Sequence, residues 1–126
     1  MNVVVGYDGS EPAQRALGVA VAVAGKGEVT VVNVAPALHL GLPDPAFAAE
    51  QEFLLAEALR LAGDGEVATK AVVGEPAEEL SAAAREAGAD VLVVGTAGHG
   101  ALGRFLLGSV SLAVAREAPC SVLVVP

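Results

Sequence analysis

The chain has 126 residues, 54% hydrophobic and 17% charged, with a net charge of −8 and a mean hydropathy of +0.61. That length sets a single domain, residues 1–126, and so much apolar area offsets the entropy of ordering, which excludes disorder. Only seven Lys and Arg, scattered from Arg15 to Arg116 among 15 acids, exclude a basic nucleic-acid surface, and one Tyr, three Phe and no Trp exclude an aromatic base-stacking platform. The single cysteine, Cys120, excludes an internal disulfide and a multi-cysteine metal site. The longest apolar stretch, Ala16 to Gly25, is about half of the roughly 20 residues a membrane-spanning helix needs. Met1 to Asp8 shows no basic region leading into a long apolar one, so no secretory leader and a soluble, cytoplasmic protein are expected.

Val3-Val4-Val5 reads as a buried strand that exits through Gly6-Tyr7-Asp8-Gly9-Ser10. Ser10 is placed to cap a helix with Glu11 and Pro12 in its first turn, running to about Ala24. Val29 to Val34 is a second strand, ending before Pro36. A Pro- and Gly-rich loop (Leu40 to Pro45) leads to a helix with Phe47, Leu54, Leu55, Ala58 and Leu59 at helical spacing. Val67 to Val73 alternates as a sheet-edge strand would, and a third helix spans Ala77 to Ala87. Val91 to Val94 is a wholly apolar strand. A glycine-rich stretch, Gly95 to Gly108, precedes a short helix, Val110 to Glu117, which Pro119 ends before the last strand, Ser121 to Val125. The order βαβαβαβαβ with continuous apolar strands predicts an α/β fold, one parallel sheet covered by helices on both faces.

Ligands of such sheets bind beyond the carboxyl ends of the strands, where strand order reverses. The exit after the fourth strand is the richest in glycine, with Gly95, Gly98, Gly100, Gly103 and Gly108 in one connection, so main-chain amides can approach an anion. Ser109 adds a hydroxyl at the positive end of a helix dipole. From Val91 through Arg116 there is no Asp or Glu in a chain that has 15. Gly98 to Gly103 fits G-x-G-x-x-G but does not start at the strand exit, and no acid ends the following strand, as a dinucleotide fingerprint requires. Gly103 to Ser109 is similar to a P-loop but lacks its lysine.

A third pattern is specific. Gly95-x2-Gly98, nine residues, then Gly108-Ser109 resembles the G-x2-G-x9-G-S/T arrangement of the nucleotide-binding branch of the universal stress protein family. The likeness extends to Val5-Gly6-Tyr7-Asp8-Gly9-Ser10, Val31-Val32-Asn33-Val34, Gly74-Glu75-Pro76-Ala77 and Ala118 to Val125, essentially the whole chain. It implies a five-stranded parallel sheet in the order 3-2-1-4-5, Rossmann-like and similar to the adenine nucleotide alpha hydrolase fold. ATP would cross the crevice between the exits of strands 1 and 4. By the same resemblance, Asp8 would meet ribose, and Val34 would meet adenine through its backbone. Gly95 and Gly98 would approach ribose and phosphates. Gly108, Ser109, Val110 and Ser111 would hold the β- and γ-phosphates, with Mg or Mn bridging phosphate oxygens. Tyr7, Gly9, Thr96, His99 and Gly100 complete the nucleotide-binding set. Tyr7 is bulkier than the small residues common before that Asp, and Asn33 stands where a His is frequent.

Other readings of single residues stay open. Asp8 can form an Asx-turn with Ser10, and Ser109 can cap its helix. His39 reads as an ordinary loop residue, and Cys120 as a small buried hydrophobe. For the whole chain, the resemblance implies an ATP-binding regulatory module of the stress response, a homodimer through the apolar edge strand Ser121 to Val125. A slow ATP hydrolase and a ligand-free dimerisation module are the alternatives. No catalytic residue is assigned, since fast phosphoryl transfer needs charge stabilisation and a positioned base or water, and the motif holds no acid.

Overall fold

A computed structural model describes residues 1–37, 44–96 and 108–126. Its elements are β1 (Val3–Gly6), α1 (Glu11–Ala24), β2 (Val29–Ala35), α2 (Pro45–Ala62), β3 (Val67–Val73), α3 (Pro76–Ala87), β4 (Val91–Gly95), α4 (Ser109–Glu117) and β5 (Ser121–Val125). The strands form one parallel sheet in the order β3-β2-β1-β4-β5. β1 is central because its valines are β-branched and apolar on both sides, and all three are buried.

Alternation along the strands divides the core into two layers. Val3, Val5, Val29, Val31, Val91 and Val93 pack with α1 and α2, while Val4, Val32, Leu92 and Val94 pack with α3 and α4. Helix α1 meets the sheet through Ala13, Ala16, Ala20 and Ala24, small side chains that let its axis come close. Helix α2 lies over β2 and β3 and beside α1, and buries a narrow stripe. Of its expected apolar positions Leu55 and Ala58 are buried and Leu54 packs beside them, but Leu59 turns outward, 43% exposed. Phe53 and Leu61 are also exposed.

Two helices begin one residue earlier than the sequence pattern predicts. Pro76 is the first residue of α3, because proline's fixed φ and missing N–H suit that position. Ser109 is the first residue of α4, with Gly108 as its N-cap. Cys120 is half-buried against the α3–α4 layer, and burial pushes its thiol pKa up, in keeping with a packing role.

From β1 the chain moves to β2 and β3 on one side. From β3 it returns across the sheet to β4 on the other. Strand order therefore reverses between β1 and β4, and the helices that follow these two strands leave a crevice at their carboxyl ends.

Candidate functional site

The crevice has a volume of about 440 Å³. Of the expected site residues, Tyr7, Asp8, Val34, Gly95, Thr96, Gly108, Ser109, Val110 and Ser111 all line it. Gly98, His99 and Gly100 lie outside the described residues. Gly9 sits beside it rather than on its wall: its φ of +82° lets the chain turn from β1 into α1, with Leu54 close by. Asn33, Pro76, Leu80 and Val94 also line the crevice. Pro76 belongs to the Gly74-Glu75-Pro76-Ala77 segment of the family likeness and Val94 to the apolar fourth strand, whereas nothing in the sequence singles out Leu80.

At the β1 exit the Asp8 carboxylate accepts hydrogen bonds from the Ser10 N–H at 3.0 Å and the Ser10 hydroxyl at 2.5 Å. The Ser10 hydroxyl oxygen in turn accepts from the Ala13 N–H at 3.3 Å, so the Asx-turn and the α1 cap are one unit. Tyr7 is buried, and its hydroxyl donates to Glu57 on α2. Burial first, and the Glu57 carboxylate second, push its phenol pKa above the ordinary tyrosine value. The bulk of Tyr7 is thus taken up by the α1–α2 layer.

Asn33 is buried and spans the gap where β1 leaves β2, its Nδ2 donating to the Tyr7 carbonyl at 2.8 Å. Gln51, buried on α2, donates to the carbonyls of Asn33 at 3.1 Å and Val72 at 2.9 Å. The Tyr7 N–H bonds the Val32 carbonyl, so Val32 faces β1 and Val34, two residues on, faces the same way. The β1–β2 pairing ends at Gly6 and Val32, so the Val34 peptide groups point past the end of β1 into the crevice.

At the β4 exit the Thr96 N–H donates to the Val125 carbonyl at 2.8 Å, and the Thr96 carbonyl accepts from the Gly108 N–H at 2.6 Å. The Ser111 hydroxyl, on a residue 2% exposed, contacts the Thr96 carbonyl at 3.0 Å and the Gly108 carbonyl at 2.9 Å. Ser109 does not cap α4. Gly108 holds that position, and no side chain accepts from the first turn. The first intrahelical bond runs from the Leu112 N–H to the Gly108 carbonyl. Among the described residues, the amides of Ser109, Val110 and Ser111 have no acceptor. Helices α1, α2 and α3 are each capped by a side-chain oxygen, from Ser10, Asp44 and Glu75. The start of α4 also has no acid in its first turn. It presents partial positive charge to the crevice with nothing on the described chain to neutralise it.

The sequence profile of the universal stress protein family matches residues 1–126. The chain belongs to the universal stress protein family. A universal stress protein of Thermus aquaticus is 37% identical over 137 residues, covering 98% of this chain and 97% of that one. A universal stress protein solved in complex with cAMP is 34% identical, covers 100% of this chain and 96% of its own, and superposes with a TM-score of 0.74. The universal stress protein of Archaeoglobus fulgidus in complex with dAMP is 26% identical, with coverage of 100% and 98% and a TM-score of 0.83. Universal stress proteins similar to this chain thus include two solved with adenine nucleotides. No helix among the described residues is long and apolar enough to cross a membrane.

Proposed function

We propose that this universal stress protein is an ATP-binding regulatory module of the motif-bearing branch. In this reading residues 1–126 form one domain that takes ATP with Mg or Mn and works in the cytoplasm as a homodimer in stress response. The observation that carries it is the uncapped, acid-free start of α4, opening onto the crevice that Asp8 and Val34 also line. Three main-chain amides and the helix dipole there suit phosphate oxygens. The Val34 N–H and carbonyl suit the adjoining acceptor and amino group of adenine. The crevice volume is that of a small-molecule site. Relatives solved with cAMP and dAMP support the adenine half; the free amides of α4 support the longer phosphate chain.

In this reading a divalent ion is held through the nucleotide's own phosphate oxygens. Among the described crevice residues the one carboxylate is Asp8, which Ser10 already engages, and no Lys or Arg stands there. Among the described crevice residues there is no Lys, Arg or His to serve a transferring phosphoryl group, and the reading assigns the site to binding. For the homodimer the support is β5, an apolar edge strand with Leu123 39% exposed.

Titration with Mg-ATP tests the reading. The melting temperature is expected to rise with ligand concentration as mass action requires, and Gly108→Val is expected to abolish the rise. An unchanged melting temperature in saturating Mg-ATP overturns the function, and a valine variant that binds normally overturns the site.

A further inference from the structure

We propose that Ser111 is a positioning residue for the phosphate end of the crevice, holding the start of α4 at the β4 exit rather than contacting phosphate through its hydroxyl. The inference rests on the nucleotide-binding reading and adds a residue role to it. A serine hydroxyl has one hydrogen. Here the two oxygens in reach, Thr96 O at 3.0 Å and Gly108 O at 2.9 Å, are both acceptors, so the hydrogen is shared between them and none is left for a phosphate oxygen.

A helical serine often bonds a carbonyl three or four residues back, and Gly108 is such a partner. Thr96 is not: it lies 15 residues away, on the far side of residues 97–107. Ser111 therefore bridges both residues that flank this segment, alongside the 2.6 Å bond between the Gly108 N–H and Thr96. The orientation of the α4 amides relative to Asp8 and Val34 depends on that bridge. Without it, binding must order the first turn of α4, and that lowers affinity for ligands that use it.

The test compares Mg-ATP with adenosine by titration calorimetry on wild type, Ser111→Ala and Ser111→Thr. Alanine keeps the main-chain amide and removes only the bridge. ATP affinity is expected to fall about fivefold to tenfold, the net worth of one hydrogen bond, with adenosine affinity held within about twofold. Threonine, which keeps the hydroxyl, is expected to restore ATP binding. Ser111→Cys, similar in volume and a weaker donor, gives an intermediate loss and serves if the alanine variant does not fold. Equal losses for both ligands, or none for ATP, overturn the positioning role while leaving the nucleotide reading intact. A wild-type protein that binds adenosine but not ATP, or neither, overturns the phosphate site itself.

Discussion

Gly95, the last residue of β4, lies directly against Pro12 in the first turn of α1: a Cβ at Gly95 would stand 2.8 Å from Pro12 Cβ and 3.1 Å from the Ala13 nitrogen. Neither neighbour can swing aside, one being a ring and the other helical backbone. The first glycine of the motif therefore has a packing reason that needs no ligand. Gly95→Ala is expected to destabilise the free protein by about 1 to 3 kcal/mol, the usual cost of overpacking. Urea unfolding without nucleotide measures it; stability equal to wild type would show that α1 can retreat from β4.

Tyr7 is the chain's one tyrosine, so alkaline titration reads it alone. Its folded-state pKa is raised above the ordinary 10.0, chiefly by burial. Below pH 10 both folded and unfolded states hold the proton, and the full contribution to stability is present. Above it the unfolded state gives up its proton while the folded state keeps it. Stability then falls by about 1.4 kcal/mol per pH unit until the folded phenol ionises as well. Tyrosinate absorbance is expected to appear together with unfolding, and Tyr7→Phe to remove this part of the alkaline slope. Tyrosinate forming at pH 10 in a still-folded protein would contradict the burial.

Much of the fold was legible because it is written in local pattern. The strands β1 and β4 are apolar on both faces, β3 lies at a sheet edge although its burial does not follow the expected alternation, and Ser10 caps α1 as its position next to Glu11 and Pro12 indicates. What local pattern could not carry is contact at long range. Gly95 meets Pro12 across 83 positions, and Tyr7 reaches Glu57 across 50. The bulk of Tyr7 was legible as a departure from the family pattern, but the layer that receives it was not. The identity of the α4 cap was ambiguous for another reason: Gly108 and Ser109 are adjacent, and both residue types occupy N-caps. The choice falls on Gly108 because its carbonyl begins the helix. Gly98, His99 and Gly100 belong to the same motif and lie outside the described residues.

The edge strand β5 supports a prediction about assembly. Leu123 is 39% exposed although it is the central residue of an apolar strand. In a homodimer formed through β5 two copies of Leu123 approach the symmetry axis, so Leu123→Glu brings like charges together. Light scattering at micromolar concentration is expected to show a dimer for wild type and a monomer for the glutamate variant, with the melting temperature of the monomeric fold little changed. A wild-type monomer under these conditions rejects the assembly, and a dimeric glutamate variant moves the interface elsewhere.

The uncapped start of α4 makes stability and binding pull in opposite directions. Gly108 has φ −66° and ψ 164°, a conformation open to any residue, so a side chain there carries no backbone strain. Gly108→Asp would supply the missing cap, complement the helix dipole and reduce the freedom of the unfolded chain, for a gain of about 0.5 to 1 kcal/mol. The same carboxylate would occupy the amides offered to phosphate and repel the anion, and ATP affinity is expected to fall at least tenfold, about 1.4 kcal/mol. Urea unfolding and Mg-ATP titration on one preparation measure both. If the helix start were an ordinary terminus with no ligand to hold, the aspartate would raise stability and leave ATP binding untouched. A rise in stability paired with a loss of ATP affinity shows that the cap is absent because the anion takes its place.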